Sequence, residues 1–317
     1  MASAQEWKRT LERWRVASGA KAKRMTQQGE REYTSLGKRK GRFVVPACDV
    51  AAFESAYVRA LRAGVALHMT EKQGAASPVL VDVDIRYPPQ AAPPNIAGAI
   101  EMFATAYSGA LAELVPGLAG QRCWVFERER AATEAAGKGG WHMMYPGVRV
   151  SAGARAAARE RVVSNPEVAA LFAGLGATNA VTDIVDAAVV SRNNWFVYGS
   201  SKEGCPAYGV SRVYEVVDGR GAIERVTSPP ETDEAELVRL LSVSGEVESV
   251  TTTVPMTVLT GDVSHPKRGA ARAALARAVV QARGATATAA SEGGGRDTVK
   301  ALVELLNGRR ADAYDEW

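Results

Sequence analysis

The chain has 317 residues and a net charge of +4, with 46% hydrophobic and 23% charged residues, the balance of an ordinary globular protein of about two domains. No apolar run approaches the roughly 18–20 residues that span a bilayer, which excludes a membrane-spanning helix, and the opening MASAQEWKRT lacks the apolar stretch of a secretory signal. Cys48, Cys123 and Cys205 are scattered, with no Cys-x-x-Cys or Cys/His pairing; this excludes a disulfide scaffold and a zinc finger and suits a reducing compartment.

Charge is unevenly placed. Residues 1–45 hold twelve Lys or Arg against four Glu, a surplus of eight that is twice the whole-chain excess. Such a block either binds a polyanion or is a solvated tail. Residues 1–40 read as a basic N-terminal extension. From there, Arg42–Pro46 predicts a short strand closed by proline, and Asp49 caps an amphipathic helix over 50–63. Pro78–Ile85 is apolar and β-branched enough for a central strand. The proline-rich 87–95 is a loop, 96–114 a helix, and 122–126 a strand followed by a polar, Gly-rich turn. A strand over 141–145, a long Ala-rich helical region over 152–173, and strands over 186–190, 195–198 and 211–217 complete the pattern. Helices between strands, then strand pairs, give an α/β (α+β) class.

The composition changes after about Leu241. Residues 246–297 read as a flexible low-complexity linker, with the basic, Ala-rich HPKRGAARAALARAVVQARG inside it. Residues 298–317 return to an amphipathic helix pattern, as if leading into a further part of a longer protein.

Three groups of residues carry chemistry. Asp82 and Asp84 are two apart in a strand, so their carboxylates share one face while Val81, Val83 and Ile85 point the other way. Two carboxylates about 7 Å apart on a half-buried strand repel, and a hard divalent cation is the natural neutraliser; the alternative is an exposed strand end. Second, His142 lies in Lys138-Gly-Gly-Trp-His-Met-Met-Tyr-Pro, where Lys138 and His142 supply donors suited to phosphate oxygens. It reads equally as a core histidine beside Trp141, while His68 and His265 have no supporting context. No nucleophile with an orienting acid accompanies His142, which argues against a hydrolase triad. Third, Asp186 precedes an apolar stretch and is followed by Arg192 and a Tyr-Gly-Ser-Ser-Lys turn ending at Ser200, Ser201 and Lys202. The turn lacks P-loop spacing, and Asp183 is an alternative to Asp186.

Taken in order, hhhDhD, KxGxHhhhP and D-x₂-hh…YGSSK resemble the archaeo-eukaryotic primase superfamily, in the branch of primase-polymerases and large-DNA-virus primase-helicases, over about residues 35–215. The last twenty residues resemble the segment that joins primase to helicase in that branch. The resemblance implies an α/β N-terminal module and an RRM-like module with the active cleft between them, within a catalytic domain at 41–245. It implies Asp82, Asp84 and Asp186 as catalytic acids holding two Mg²⁺ or Mn²⁺ ions, and Lys138, His142 and Lys202 as nucleotide-phosphate contacts, with Ser200, Ser201 and Arg192 beside them. Lys38, Arg39, Lys40 and Arg42 would follow template phosphates.

Two departures stand out. Gly140 occupies the place of Ser in the family's Ser-x-His, so that a backbone N–H stands in for the hydroxyl; Phe196 stands where relatives often have Arg, with Arg192 as the compensating candidate. The family's cysteine-bearing zinc element is missing. The implied function is a DNA primase, or primase-polymerase, working on single-stranded DNA with NTP or dNTP. Its expected partner is a helicase domain in the same or an associated chain, and its expected place is inside the cell, in a host nucleus or a cytoplasmic virus factory. Two rivals remain: an inactive single-strand-binding module that loads template for a helicase, and a DxD sugar-nucleotide transferase, which leaves Asp186 and the YGSSK turn unexplained.

Overall fold

The structure, a computed structural model, describes residues 2–16, 29–38, 40–88, 94–129, 137–227 and 233–245. The expected linker at 246–297, the segment at 298–317, most of the proline-rich loop, half of the Gly-rich turn, and Arg39 lie outside them. No helix among the described residues is long and apolar enough to cross a membrane.

Two antiparallel sheets organise the described residues, as the α/β reading expects. The first has four strands: β1 (Arg31–Ser35), β2 (Gly41–Val45), β3 (Met69–Glu71) and the two-residue β7 (Trp195–Phe196), in the order β2-β1-β3-β7. Against it pack α1 (Ala2–Glu12) and α2 (Val50–Arg62). In α2 the helical spacing of Phe53, Ala56, Tyr57 and Ala60 makes one buried face. Part of the stretch expected as a basic extension is built into this layer: Trp7, Leu11 and Trp14 are buried with Phe53 and Tyr57. Asp49 stands at the start of α2 but makes no side-chain cap; its carboxylate accepts the Trp14 indole N–H instead (2.8 Å).

The second sheet has five strands: β4 (Ala76–Arg86), β5 (Arg122–Glu127), β6 (Lys138–Ser151), β8 (Gly209–Val216) and β9 (Ile223–Arg225), in the order β4-β6-β5-β8-β9. One face is covered by α3 (Ala97–Ala112), α4 (Ala152–Val163) and α5 (Pro166–Gly174). The helical region at 152–173 is thus two helices. Asn165 caps the second by accepting the Glu167 N–H (2.8 Å), and Pro166 fits the first helical turn, where no amide donor is needed.

Alternation along β4 sends Val79, Val81, Val83 and Ile85 into this helical layer, each almost fully buried. Leu80, Asp82 and Asp84 therefore belong to the opposite face. There Leu80, Trp124, Phe126, Met144 and Val213 form a separate core with Trp195 of β7 and with Leu237 of α7 (Glu234–Leu240).

Two strand assignments change. β4 is an edge strand of its sheet, not a central one, and it is apolar on one side because helices cover that side. The expected strand over 186–190 does not form. α6 (Val181–Ile184) and a 3₁₀ turn at Ala188–Val190 flank Asp186, whose Oδ1 accepts the Ala188 N–H (2.8 Å). That local bond competes with a strand ladder. What remains is one bridge, Val83 to Val185, and the Asp186 N–H donated to Asp82 O (3.0 Å).

Candidate active site

β4 and β6 pair in a register that sets Asp82 opposite His142, Asp84 opposite Gly140, and Arg86 opposite Lys138. His142 Nε2 lies 3.2 Å from Asp82 Oδ1, and both side chains are largely buried. The segment along the open edge of β4 brings Asp186, about a hundred residues distant, to the backbone of Asp82.

The three acids feel one another. Burial, then the charge of Asp82, pushes the Asp84 carboxyl up to about 6; Asp186 adds to this, while His142 and Lys202 oppose it. Asp84 keeps contact with solvent, which screens part of that field. The Asp186 carboxyl is also raised, chiefly by burial and in part by Asp82, against the Ala188 N–H and the charges of Arg159 and Arg192. Excess negative charge of this kind suits a hard divalent cation with oxygen ligands. Among the described residues, however, no three His, Cys, Asp or Glu side chains are drawn together as a finished metal cage. The donor types fit such an ion; the ligands would have to close around it.

Gly140 has a steric reason to be glycine. A Cβ there would lie 1.8 Å from Val83 O, so the position opposite Asp84 is bare by necessity. Lys138 is exposed at the start of β6, two positions beyond Gly140 on the same face.

His142 is held from its ring faces. Tyr208 stacks on it (centroids 3.7 Å apart, planes at 19°), Trp195 tilts against it at 4.7 Å, and the Arg128 guanidinium lies 5.3 Å from the Tyr208 ring centre. Burial, then Asp82, pushes the Tyr208 phenol up to about 12. Sequence reasoning missed Tyr208 and Arg128, because no spacing ties them to His142. Phe196, the second departure from the family pattern, lines the same crevice together with Phe126, Tyr198 and Ser200.

The Tyr-Gly-Ser-Ser-Lys turn divides its residues. Ser200 is buried: its Oγ accepts the Met69 N–H (2.9 Å) and lies 2.8 Å from the Tyr57 hydroxyl, which donates to Tyr198 O. Its hydroxyl is occupied by the fold, so a direct phosphate contact from Ser200 does not fit. Ser201 is partly exposed and Lys202 exposed, with Lys202 near enough to act on Asp84. Arg192 is exposed and acts on Asp186. His68, without context in the sequence, bonds Ser201 O through Nδ1 (2.8 Å) and steadies this turn.

The basic residues also divide. Lys38 is exposed at the tip between β1 and β2 and pairs loosely with Glu203 (3.4 Å), which sets it beside the Lys202 turn; Lys40 is exposed too. Arg42 is held by the fold, gripping Glu32, which Lys72 shares (3.0 Å), through Nε (2.6 Å) and a second nitrogen (3.0 Å), so its assignment to template phosphates does not fit.

A search of curated proteins finds no match for this chain. A protein family does match: the C962R protein N-terminal AEP domain, over residues 32–214. That span is more than half of the chain and includes the three acids, His142 and the Lys202 turn. The chain therefore belongs to the archaeo-eukaryotic primase superfamily of nucleotidyltransferases, in its viral C962R-type branch.

Proposed function

We propose that this chain is a template-directed DNA primase, with primer extension as a second capacity, forming the primase part of a viral-type primase-helicase. What supports the reading is that the charges of Asp82, Asp84 and Asp186 act on one another, with Asp186 bonded to the backbone of Asp82 and His142 against the Asp82 carboxylate. A module that only bound single strands would have no use for three mutually repelling carboxylates.

In this reading a 3′-hydroxyl, losing its proton to water, attacks the α-phosphorus of the incoming nucleotide; a new O–P bond forms, the α–β bridge breaks, and pyrophosphate leaves. Mg²⁺ or Mn²⁺ held by Asp82, Asp84 and Asp186 would supply charge neutralisation at the attacking and leaving oxygens. The chain's own donors orient the triphosphate: His142 from the sheet face, Lys202 from the turn, and Lys138 from the outer end of β6, with Arg192 beside Asp186. Lys38 and Lys40 lead the single-stranded template toward the Lys202 turn. The helicase partner and a location in a host nucleus or virus factory belong to the same proposal.

The deciding experiment incubates the purified chain with single-stranded DNA, labelled NTPs or dNTPs, and Mg²⁺ or Mn²⁺, with and without a primer. The Asp82→Ala/Asp84→Ala double mutant runs alongside. Labelled oligomers without a primer, lost in the mutant, support priming; extension only from a primer restricts the reading to a polymerase. Template binding with no synthesis in either case supports the inactive loading module.

Two further results are expected. His142→Ala should raise the nucleotide KM by about 10–100-fold, the worth of a charge-assisted hydrogen bond, with less change in turnover at saturation; a collapse of saturated turnover would place His142 in the chemical step. Lys38→Glu with Lys40→Glu should weaken single-strand binding and flatten its log–log salt slope by about 1.4, as expected for two lost phosphate contacts. An unchanged slope would make the tip a solvated surface. Deleting the N-terminus is a poor substitute for this test, because it would remove Trp7, Leu11 and Trp14 from the core.

A further inference from the structure

The segment that carries Asp186 has little strand pairing to hold it: one bridge to Val83 and one N–H to Asp82. Several of its carbonyl groups are nonetheless taken by side chains. Arg159 of α4 donates Nε to Val185 O (2.8 Å) and a terminal nitrogen to Thr182 O (2.6 Å). One helical turn earlier, Arg155 donates Nε to Val190 O (2.9 Å) and reaches Ser77 O of β4 and Val150 O of β6 with another nitrogen (3.2 and 2.7 Å). Gln73 takes Val189 O and Asn193 O (2.7 and 2.8 Å).

Both guanidiniums are buried: Arg155, 1% exposed, bonds carbonyls rather than a carboxylate, while Arg159 also pairs with Glu160 at its outer side (2.6 Å). A buried cation bonded to carbonyls and not to an anion, as Arg155 is, is costly. An apolar residue would fill the space more cheaply if packing were all that mattered. What the guanidiniums add is geometry: rigid forks, four residues apart on one face of α4, that grip the backbone just before Asp186 and four residues after it.

We propose that Arg155 and Arg159 are positioning residues for Asp186, holding the third carboxylate at the edge of β4 where it can join Asp82 and Asp84 around a divalent cation. This rests on the reading of the three acids as the nucleotidyl-transfer site. A lysine keeps the charge but lacks the planar fork that reaches two carbonyls from separate nitrogens, so the test is Arg159→Lys, with Arg155→Lys as a second variant and Leu111→Ala in α3 as a reference for general loss of stability.

Three readouts separate positioning from mere support: Mn²⁺ binding followed by the free-ion paramagnetic resonance signal, amide exchange over residues 185–190, and the Mg²⁺ dependence of nucleotide addition. The folded lysine variants should bind Mn²⁺ about 10–100-fold more weakly than the unaltered chain, the usual cost of disturbing the support of a ligand. They should exchange faster at 185–190 but not in α3, and should need correspondingly more Mg²⁺ with an unchanged nucleotide KM. Leu111→Ala should lower the melting temperature without any of these changes. Unchanged Mn²⁺ affinity and unchanged exchange at 185–190 in a folded lysine variant would overturn the proposal. So would failure of both variants to fold, which would make the arginines part of the scaffold alone. If the unaltered chain adds no nucleotide while Mn²⁺ binding and exchange respond as expected, the nucleotidyl-transfer reading fails and the positioning role stands.

Discussion

Asp82→Asn and Asp186→Asn are each expected to reduce nucleotide addition by about 10²–10⁴-fold while single-stranded DNA binding stays within a few-fold of the parent. The magnitude follows from the several kcal/mol of transition-state charge stabilisation that a correctly held metal ion supplies, at about 1.4 kcal/mol per tenfold in rate. Binding should survive because the acids repel the template rather than hold it; removing a carboxylate from a crowded acidic face can even strengthen DNA binding at low salt. The side chains are also unequal. Asp82 contacts His142, and its backbone carbonyl receives the Asp186 amide, which an Asn replacement leaves in place. Asp186 accepts the Ala188 N–H through Oδ1, and Asn retains an acceptor there. Both substitutions therefore change charge more than fold. Single-turnover rates at saturating Mg²⁺, with DNA binding measured by anisotropy, check the result. Activity within tenfold of the parent in either mutant would remove that acid from the reaction.

Gly140→Ser is expected to damage the protein rather than improve it. On the sequence alone this change restores the family's Ser-x-His pattern and should add a phosphate contact. The structure reverses the sign, because the new Cβ would sit 1.8 Å from Val83 O and 3.0 Å from Val83 C, both backbone atoms of β4. Backbone cannot swing aside as a flexible side chain does, so relief must push β4 away from β6 between Asp82 and Asp84. Overpacking of this kind costs about 1–3 kcal/mol, at the upper end where backbone must move. The displaced strand is the one bearing the acids, so nucleotide addition should fall further than stability does. Urea midpoints and the nucleotide KM decide it. A stable Gly140→Ser with a lower KM would show that the two strands can part freely at this rung.

Much of the site was legible in the sequence because it rests on local rules. Period-two alternation in VLVDVDI sets Asp82 and Asp84 on one face whatever the rest of the chain does, and the apolar positions between them are indeed buried in the helical layer. The order of three short motifs was specific enough to point to the superfamily, although each motif alone was ambiguous. The split of the Ala-rich region at Asn165-Pro166 was equally present in the letters, since Pro at the first helical turn marks a new start.

What failed, failed for want of partners distant in the chain. The apolar run after Asp186 looks like a strand, yet Asp186 bonds its own backbone and buried arginines take the carbonyls a ladder would have used. Ser200 looks like a phosphate ligand until Tyr57 and Met69, more than a hundred residues earlier, claim its hydroxyl. Arg42 counts toward a basic block until Glu32, shared with Lys72, ties its guanidinium down across the β1–β2 pair. Tyr208 gives no signal until the fold lays it on His142. The sequence by itself determined the residue types, their faces on single elements and the family. Tertiary structure decided which of those side chains are spent internally and which remain for a ligand, because hydrogen bonds and charge pairs are made between strands whose separation along the chain no periodicity records.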